Sequence, residues 1–266
     1  MGSFVTNMIS FNNITLLLSD KIILDNVSLN IERNLTSVIV GPSGAGKSSI
    51  LKIILALWKP DYGEVLIDGI NINKVNEEEL TRIRKNIGIV FQNNALFDSL
   101  TVAENILYFL PNRKKLTDVE LQYKVEELLS FVNLEGTENL FPEELSGGMK
   151  KRVAIARAFA FDPKVILFDE PTTGLDPINT ESILELISKL KKNGTTSIVV
   201  THILNDAIAI GDKLIVINNG RIVESGSVDE ILKSSNTFVQ RFFYQINKGT
   251  LLFDSYTNQY GFANVK

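Results

Sequence analysis

The chain contains no cysteine and a single histidine, His202, among its 266 residues. Without thiols there is no disulfide framework, no thiolate nucleophile and no cysteine-ligated zinc, and one imidazole excludes a multi-histidine metal site. The absence of cysteine fits a reducing cytosol. Long apolar runs are also missing: Ile53 to Trp58 is typical of the longest, whereas a membrane-spanning helix needs about 20 predominantly apolar residues. The amino terminus lacks a basic segment leading into an apolar core and a small-residue cleavage site. Nor is there a surplus of positive charge. The 27 basic residues face 31 acidic ones, a net charge of -4, with an isoelectric point near 5.3, so the electrostatic footprint of a nucleic-acid binder is absent. The expectation is a cytosolic protein with no nucleic-acid partner, which serves a membrane, if at all, from its surface.

What is present reads as an α/β fold with a helical insertion. Val38-Ile39-Val40 is a short continuous apolar run, the mark of a strand buried on both faces of a parallel sheet, and Val165–Phe168 and Ser197–Val200 repeat it. Ile9–Phe11, Val27–Ile31, Glu64–Asp68 and Ile87–Phe91 read as further strands, and Asn219-Gly220 between two apolar runs marks a hairpin. The helical pattern that follows Gly46 is expected to run through Leu57 and stop at Pro60. Thr101 to Ala160 reads as almost wholly helical, with turns near Pro111, Gly136 and Pro142, and Thr180–Lys191 as an amphipathic helix.

Between strand and helix lies Gly41-Pro42-Ser43-Gly44-Ala45-Gly46-Lys47-Ser48, a full match to the phosphate-loop pattern G-x-x-x-x-G-K-[ST] in the context that pattern requires. Its glycines let successive backbone N–H groups turn around phosphate oxygens, and the helix N-terminus adds partial positive charge. Lys47 is placed to reach β- and γ-phosphates and the Ser48 hydroxyl to bind Mg²⁺, with Ser49 next in the same turn. Two carboxylates, Asp169 and Glu170, emerge from the C-terminal end of the apolar run Val165–Phe168, where ligands of open α/β sheets bind. Asp169 is the candidate metal holder, and Glu170 the candidate acceptor of a proton from the attacking water. Together the two motifs describe a nucleotide hydrolase.

Leu145-Ser146-Gly147-Gly148-Met149, followed by Lys150-Lys151-Arg152, resembles the signature helix of ATP-binding-cassette (ABC) ATPases. The residues alone also allow a serine-capped helix with a solvated Lys-Lys-Arg face. The resemblance covers essentially the whole chain and implies a P-loop NTPase with a RecA-like core (8–92 and 162–235), an N-terminal antiparallel β part and an α-helical subdomain (93–161), followed by an extension over 236–266. It further implies an ATPase using ATP and Mg²⁺, in which Ser146, Gly147 and Gly148 contact ATP across a head-to-tail homodimer. By the same likeness Gln92 touches Mg²⁺, Asp176 bridges the subunits and His202 contacts the γ-phosphate.

The narrower resemblance is to the ATPases of Mla/Mce-type lipid transport systems. It rests on Leu145–Met149 with its Lys-Lys-Arg run, on Val90–Ile106 and on Phe238–Phe242 with the tail beyond. It implies integral-membrane permease subunits and an Mce-domain lipid-binding protein as partners, with the chain peripheral on the cytoplasmic face of the inner membrane. The alternative within the same fold is a soluble ATPase of the iron–sulfur assembly kind.

Two features depart from the family. Where its members usually stack adenine on an aromatic ring, this chain has Leu18, and Thr15 to Ile23 contain no ring at all. Arg33-Asn34 replaces the usual glycine before the phosphate-loop strand, a place where Asn tolerates a left-handed backbone. Trp58 reads as core. Eight of the 22 aromatic residues lie between Phe238 and Phe262, a density that implies packing on the chain's own subunit or on its partner.

Overall fold

The computed structural model describes residues 7–110 and 115–249, the last five by backbone alone. β1 (Asn7–Leu18) and β2 (Lys21–Glu32) form a long hairpin closed by Ser19 and Asp20, both left-handed. β3 (Thr36–Val40) leads through the phosphate loop into α1 (Lys47–Ile54). α1 stops short of the expected Pro60, because Ala56 turns left-handed at φ 51°. The N–H groups of Ala56 and Leu57 then donate back to Ile53 and Lys52 carbonyls, closing the helix. β4 (Tyr62–Ile67), β5 (Ile70–Asn71), α2 (Glu77–Arg84) and β6 (Ile87–Val90) complete the first half.

The expected helical stretch holds α3 (Val102–Leu107), α4 (Asp118–Phe131) and α5 (Gly147–Phe159). Thr101 with Glu104, and Thr117 with Glu120, cap α3 and α4 reciprocally, and Ser146 caps α5. Two of the expected turns are present: left-handed Asn133 and Gly136 break the chain after α4, and a 3₁₀ turn at Pro142–Glu144 follows before Ser146, while Pro111 lies outside the described residues. β7 (Val165–Asp169), α6 (Pro177–Lys192), β8 (Thr196–Thr201), α7 (Leu204–Ile210), β9 (Lys213–Asn218), β10 (Arg221–Ser227), α8 (Val228–Leu232) and α9 (Thr237–Gly249) complete the chain.

Two sheets result. One is antiparallel in the order β2-β1-β4-β5; the other runs β10-β9-β3-β8-β7-β6, parallel throughout except for the β9–β10 hairpin. That hairpin turns on Asn219 and Gly220, both at positive φ, as the sequence indicated. Asn34, at φ 59°, likewise adopts the left-handed turn expected of it. Every residue of β3 is buried because both faces of its sheet are covered. Val38 and Val40 face a core shared with α3 to α7, while Ile39 faces the antiparallel sheet and α1. The same alternation puts Phe168 on the first side and Leu167 on the second.

In the tail, Val239 and Phe243 are buried and α9 packs on α7, α8 and β10 of its own chain, with Phe238 and Phe242 stacked at 5.7 Å between ring centroids. Phe253, Tyr256, Tyr260 and Phe262 lie outside the described residues, as does any contact they make with a partner subunit. No helix among the described residues is long and apolar enough to cross a membrane.

Candidate nucleotide site

The parallel register brings the motifs to one edge. Val40 pairs with Thr201 of β8, and Asp169 pairs with Val200. The phosphate loop, the Asp169-Glu170 pair and His202 therefore leave the sheet side by side, at the C-terminal ends of their strands. Gln92 lies two residues past Val90, which pairs with Phe168.

Gly44 and Gly46 hold the loop at φ 76° and 102°. A Cβ on Gly41 would stand 2.1 Å from the Ile217 carbonyl oxygen, so that position requires glycine for a close backbone approach. Gly41, Ala45, Gly46, Lys47 and Ser49 are buried, while Ser43 and Gly44 are exposed at the loop's crest beside half-buried Pro42 and Ser48. The Lys47 ammonium donates to the Gly41 and Pro42 carbonyls at 2.8 and 3.1 Å and stands 3.9 Å from Glu170 Oε1. Burial pulls its pKa below the usual lysine range, opposed by the charges of Glu170 and Asp169.

The Ser48 hydroxyl donates to Asp169 Oδ1 at 2.9 Å. Burial raises the Asp169 pKa against that hydrogen bond. A partly buried carboxylate beside a hydroxyl is an all-oxygen donor set of the kind hard divalent cations take, so the residues present fit Mg²⁺. Glu170, buried, has a left-handed backbone at φ 49°, and its N–H donates to the Val200 carbonyl. Its Oε2 lies 2.9 Å from His202 Nδ1 and accepts from the hydroxyls of Thr173 and Thr201 at 3.1 and 3.3 Å. One carboxylate thus meets the ammonium of the phosphate loop on one oxygen and the imidazole on the other. Behind it, buried Thr172 donates to Asp206, tying the loop after Glu170 to the first turn of α7, and burial raises the Asp206 pKa.

Residues 24–173 match the family model of ABC transporters. The chain belongs to the ABC transporter family. As a member it is an ATP-binding ATPase working with Mg²⁺, and cassettes of this family dimerise and pair with membrane permease subunits. Among relatives of this ABC ATPase, the methionine import ATP-binding protein MetN of Haemophilus influenzae (strain 86-028NP) is 41% identical over 94% of this chain and 73% of its own length. The intermembrane phospholipid transport system ATP-binding protein MlaF of Escherichia coli (strain K12) is 35% identical over 95% of this chain and 94% of its own. The dimeric post-hydrolysis cassette MJ0796 bound to ADP and Pi superposes with a TM-score of 0.75 at 39% identity, covering 83% of this chain and 99% of that one.

Among the described residues, Ser146, Gly147, Gly148 and Asp176 share no hydrogen bond or ion pair with this cluster in the single chain of the ABC ATPase. Ser146 and Gly147 are exposed at the N-terminus of α5, where the Met149 N–H donates to Ser146 Oγ at 3.3 Å. Gly148 is buried against α6: a Cβ there would stand 2.1 Å from Asn179 Oδ1. Asn179 in turn donates its backbone N–H, at 3.0 Å, and its side-chain amide to exposed Asp176, the N-cap of α6. The signature end and the Asp176 turn are therefore one surface. Gln92 is exposed and its carbonyl accepts from Lys151 at 2.8 Å.

Sequence reasoning missed Lys151. It is 2% exposed, so the Lys-Lys-Arg run is not a uniformly solvated face. Burial lowers its pKa to about 8, partly countered by Asp169. The signal was available: Lys151 stands three residues after Gly148 and four before Ile155, both buried, on the apolar face of the helix. Asp206, Arg157 and Asn105 were also missed, being legible only once the elements that surround them are packed. Trp58, expected as core, is half-buried with the Lys52 ammonium 4.1 Å from its ring centroid.

Proposed function

We propose that this chain is the ATP-hydrolysing subunit of an Mla/Mce-type phospholipid transporter, a homodimer seated peripherally on the cytoplasmic face of the inner membrane. The observation that carries the catalytic part is the convergence of Lys47, Asp169, Glu170 and His202 at one sheet edge. The phosphate-loop N–H groups bind the β- and γ-phosphates, and the Lys47 ammonium leaves its own loop carbonyls to join them. Ser48, Asp169 and Gln92 would hold Mg²⁺, whose charge would offset that of the phosphate oxygens when bound. Glu170 takes the proton of the attacking water, and His202 meets the γ-phosphate. Ser146, Gly147 and Gly148 close on the nucleotide of the partner subunit, with Asp176 at the seam. Binding both subunits at once makes ATP favour the closed dimer, and hydrolysis removes that preference.

A permease surface is supported by exposed Phe97, Tyr108 and Phe109, whose rings cluster at 4.4 to 6.2 Å between centroids. Aromatic residues grouped this way on a surface favour association. The adenine platform is aliphatic, built from exposed Leu18 and Ile22 on the β1–β2 hairpin; the adjoining Ile23 carbonyl lies against Gly46.

Lipid cargo is supported by the Leu145–Met149 and Val90–Ile106 stretches and by the nearly full-length alignment with MlaF. Methionine import is the second reading, favoured by the 41% identity to MetN. Capturing the tagged chain from gently solubilised native membranes and identifying its companions by mass separates them. A polytopic permease with an Mce-type lipid-binding protein is the expected result. A permease with an amino-acid-binding partner establishes the second reading, and recovery only with soluble assembly proteins overturns both.

A further inference from the structure

Residues 91–101 form no helix or strand, yet their backbone is pinned from behind along most of its length. The Lys151 ammonium donates to the carbonyls of Phe91 and Gln92 at 3.2 and 2.8 Å. Two turns further along α5, the Arg157 guanidinium donates to the carbonyls of Asn94 and Ala95 at 2.8 and 2.6 Å. Asn105 of α3, fully buried, then donates to the carbonyls of Phe97, Leu100 and Thr101 and accepts from the Phe97 N–H. The brace begins at Phe91 and Gln92 and takes in Phe97 of the Phe97–Tyr108–Phe109 cluster.

The Lys151 contact carries the most. Among the described residues this ammonium makes no ion pair; its partners are two carbonyls, with the charge of Asp169 nearby. An uncompensated buried charge is costly, and filling the gap between α5 and the loop needs only an apolar chain of the same length. What the ammonium supplies beyond filling is a forked donor that fixes two successive peptide planes, and Gln92 hangs from the second.

We propose that Lys151 is a positioning residue for the metal side of the reaction: from the signature helix it sets the peptide of Gln92, and so where the Gln92 amide stands relative to Asp169. This rests on the reading of Gln92 as a metal-side residue. Such residues behind a ligand act through its orientation, and their loss costs about 10–100-fold in metal affinity or activity.

The test is a double-mutant cycle of Lys151→Met and Gln92→Ala in the full chain. The first readout is Mn²⁺ affinity in the presence of a non-hydrolysable ATP analogue, followed by the electron paramagnetic resonance of free Mn²⁺; the second is amide hydrogen exchange in the nucleotide-free protein. Each single variant is expected to weaken Mn²⁺ binding about tenfold, and the double variant to bind no worse than Gln92→Ala alone. Lys151→Met is also expected to speed exchange across 91–95 while leaving 41–49 unchanged. If the two losses add, or Lys151→Met keeps Mn²⁺ affinity while Gln92→Ala loses it, the proposal falls and the role of Gln92 stands. If Gln92→Ala binds Mn²⁺ as the unmodified chain does, the role of Gln92 falls and takes the proposal with it. Should Lys151→Met fail to fold, Lys151→Gln, which keeps one amide donor without the charge, carries the same cycle.

Discussion

The phosphate loop and the stretch 91–101 are both irregular, and they are held by opposite means. The loop is shaped largely from within: Gly44 and Gly46 supply left-handed turns, the Ala45 N–H returns to the Pro42 carbonyl, and Lys47 bonds back to the Gly41 and Pro42 carbonyls. The stretch 91–101 also turns on its own backbone, the Asn94 and Leu100 N–H groups donating to the Phe91 and Phe97 carbonyls, but it is fastened to the fold by Lys151, Arg157 and Asn105, which reach it from α5 and α3. A structure of the first kind is specified by contiguous residue types. The second kind exists only after distant helices have packed.

The contrast is broken most severely inside the nucleotide cluster. Glu170→Gln is expected to lower phosphate release about 10²–10⁴-fold while a dimer accumulates with MgATP, followed by size-exclusion chromatography and steady-state hydrolysis; a variant that stays monomeric counts against the sandwich. Lys47→Ala removes the ammonium from the loop and should weaken ATP binding by about 100-fold, at roughly 1.4 kcal/mol per tenfold. Unchanged affinity in a titration would refute the phosphate-loop reading. Asn105→Ala sharpens the other half: it removes the partners of the Leu100 carbonyl and the Phe97 N–H, while the Phe97 and Thr101 carbonyls keep the backbone N–H groups of Leu100 and residue 105, so unfolding by denaturant should show a loss of about 2–3 kcal/mol with ATP affinity unmoved. The smallest effect belongs to the edge of the site. Leu18→Tyr should tighten ATP binding by about threefold to tenfold, since stacking on a ring contributes roughly 1 kcal/mol or more; equal affinity in both variants places the base elsewhere.

These two modes explain what could be read in advance. The buried strands, the glycine loop and the paired carboxylates were legible because each is local: Val38–Val40 is apolar throughout, and Gly41–Ser48 carries its turn chemistry in order. The end of α1 was misjudged because a left-handed Ala56, not Pro60, closes it. Lys151 was hidden because a lysine in sequence carries no mark of burial, and its partners lie some sixty residues upstream. Asp206 was hidden likewise, since its link to Thr172 depends on α7 folding back beneath the loop after Glu170.

The left-handed backbone of Glu170 has a consequence for what evolution and engineering can do here. A non-glycine residue in that conformation stores roughly 1–3 kcal/mol, which glycine would relieve at the expense of a more flexible unfolded chain, roughly 0.4–1 kcal/mol. The residue the backbone prefers at position 170 is therefore one that cannot take a proton. Selection for stability alone would drift toward a well-folded, silent ATPase, and the carboxylate persists only as long as turnover is what is being selected.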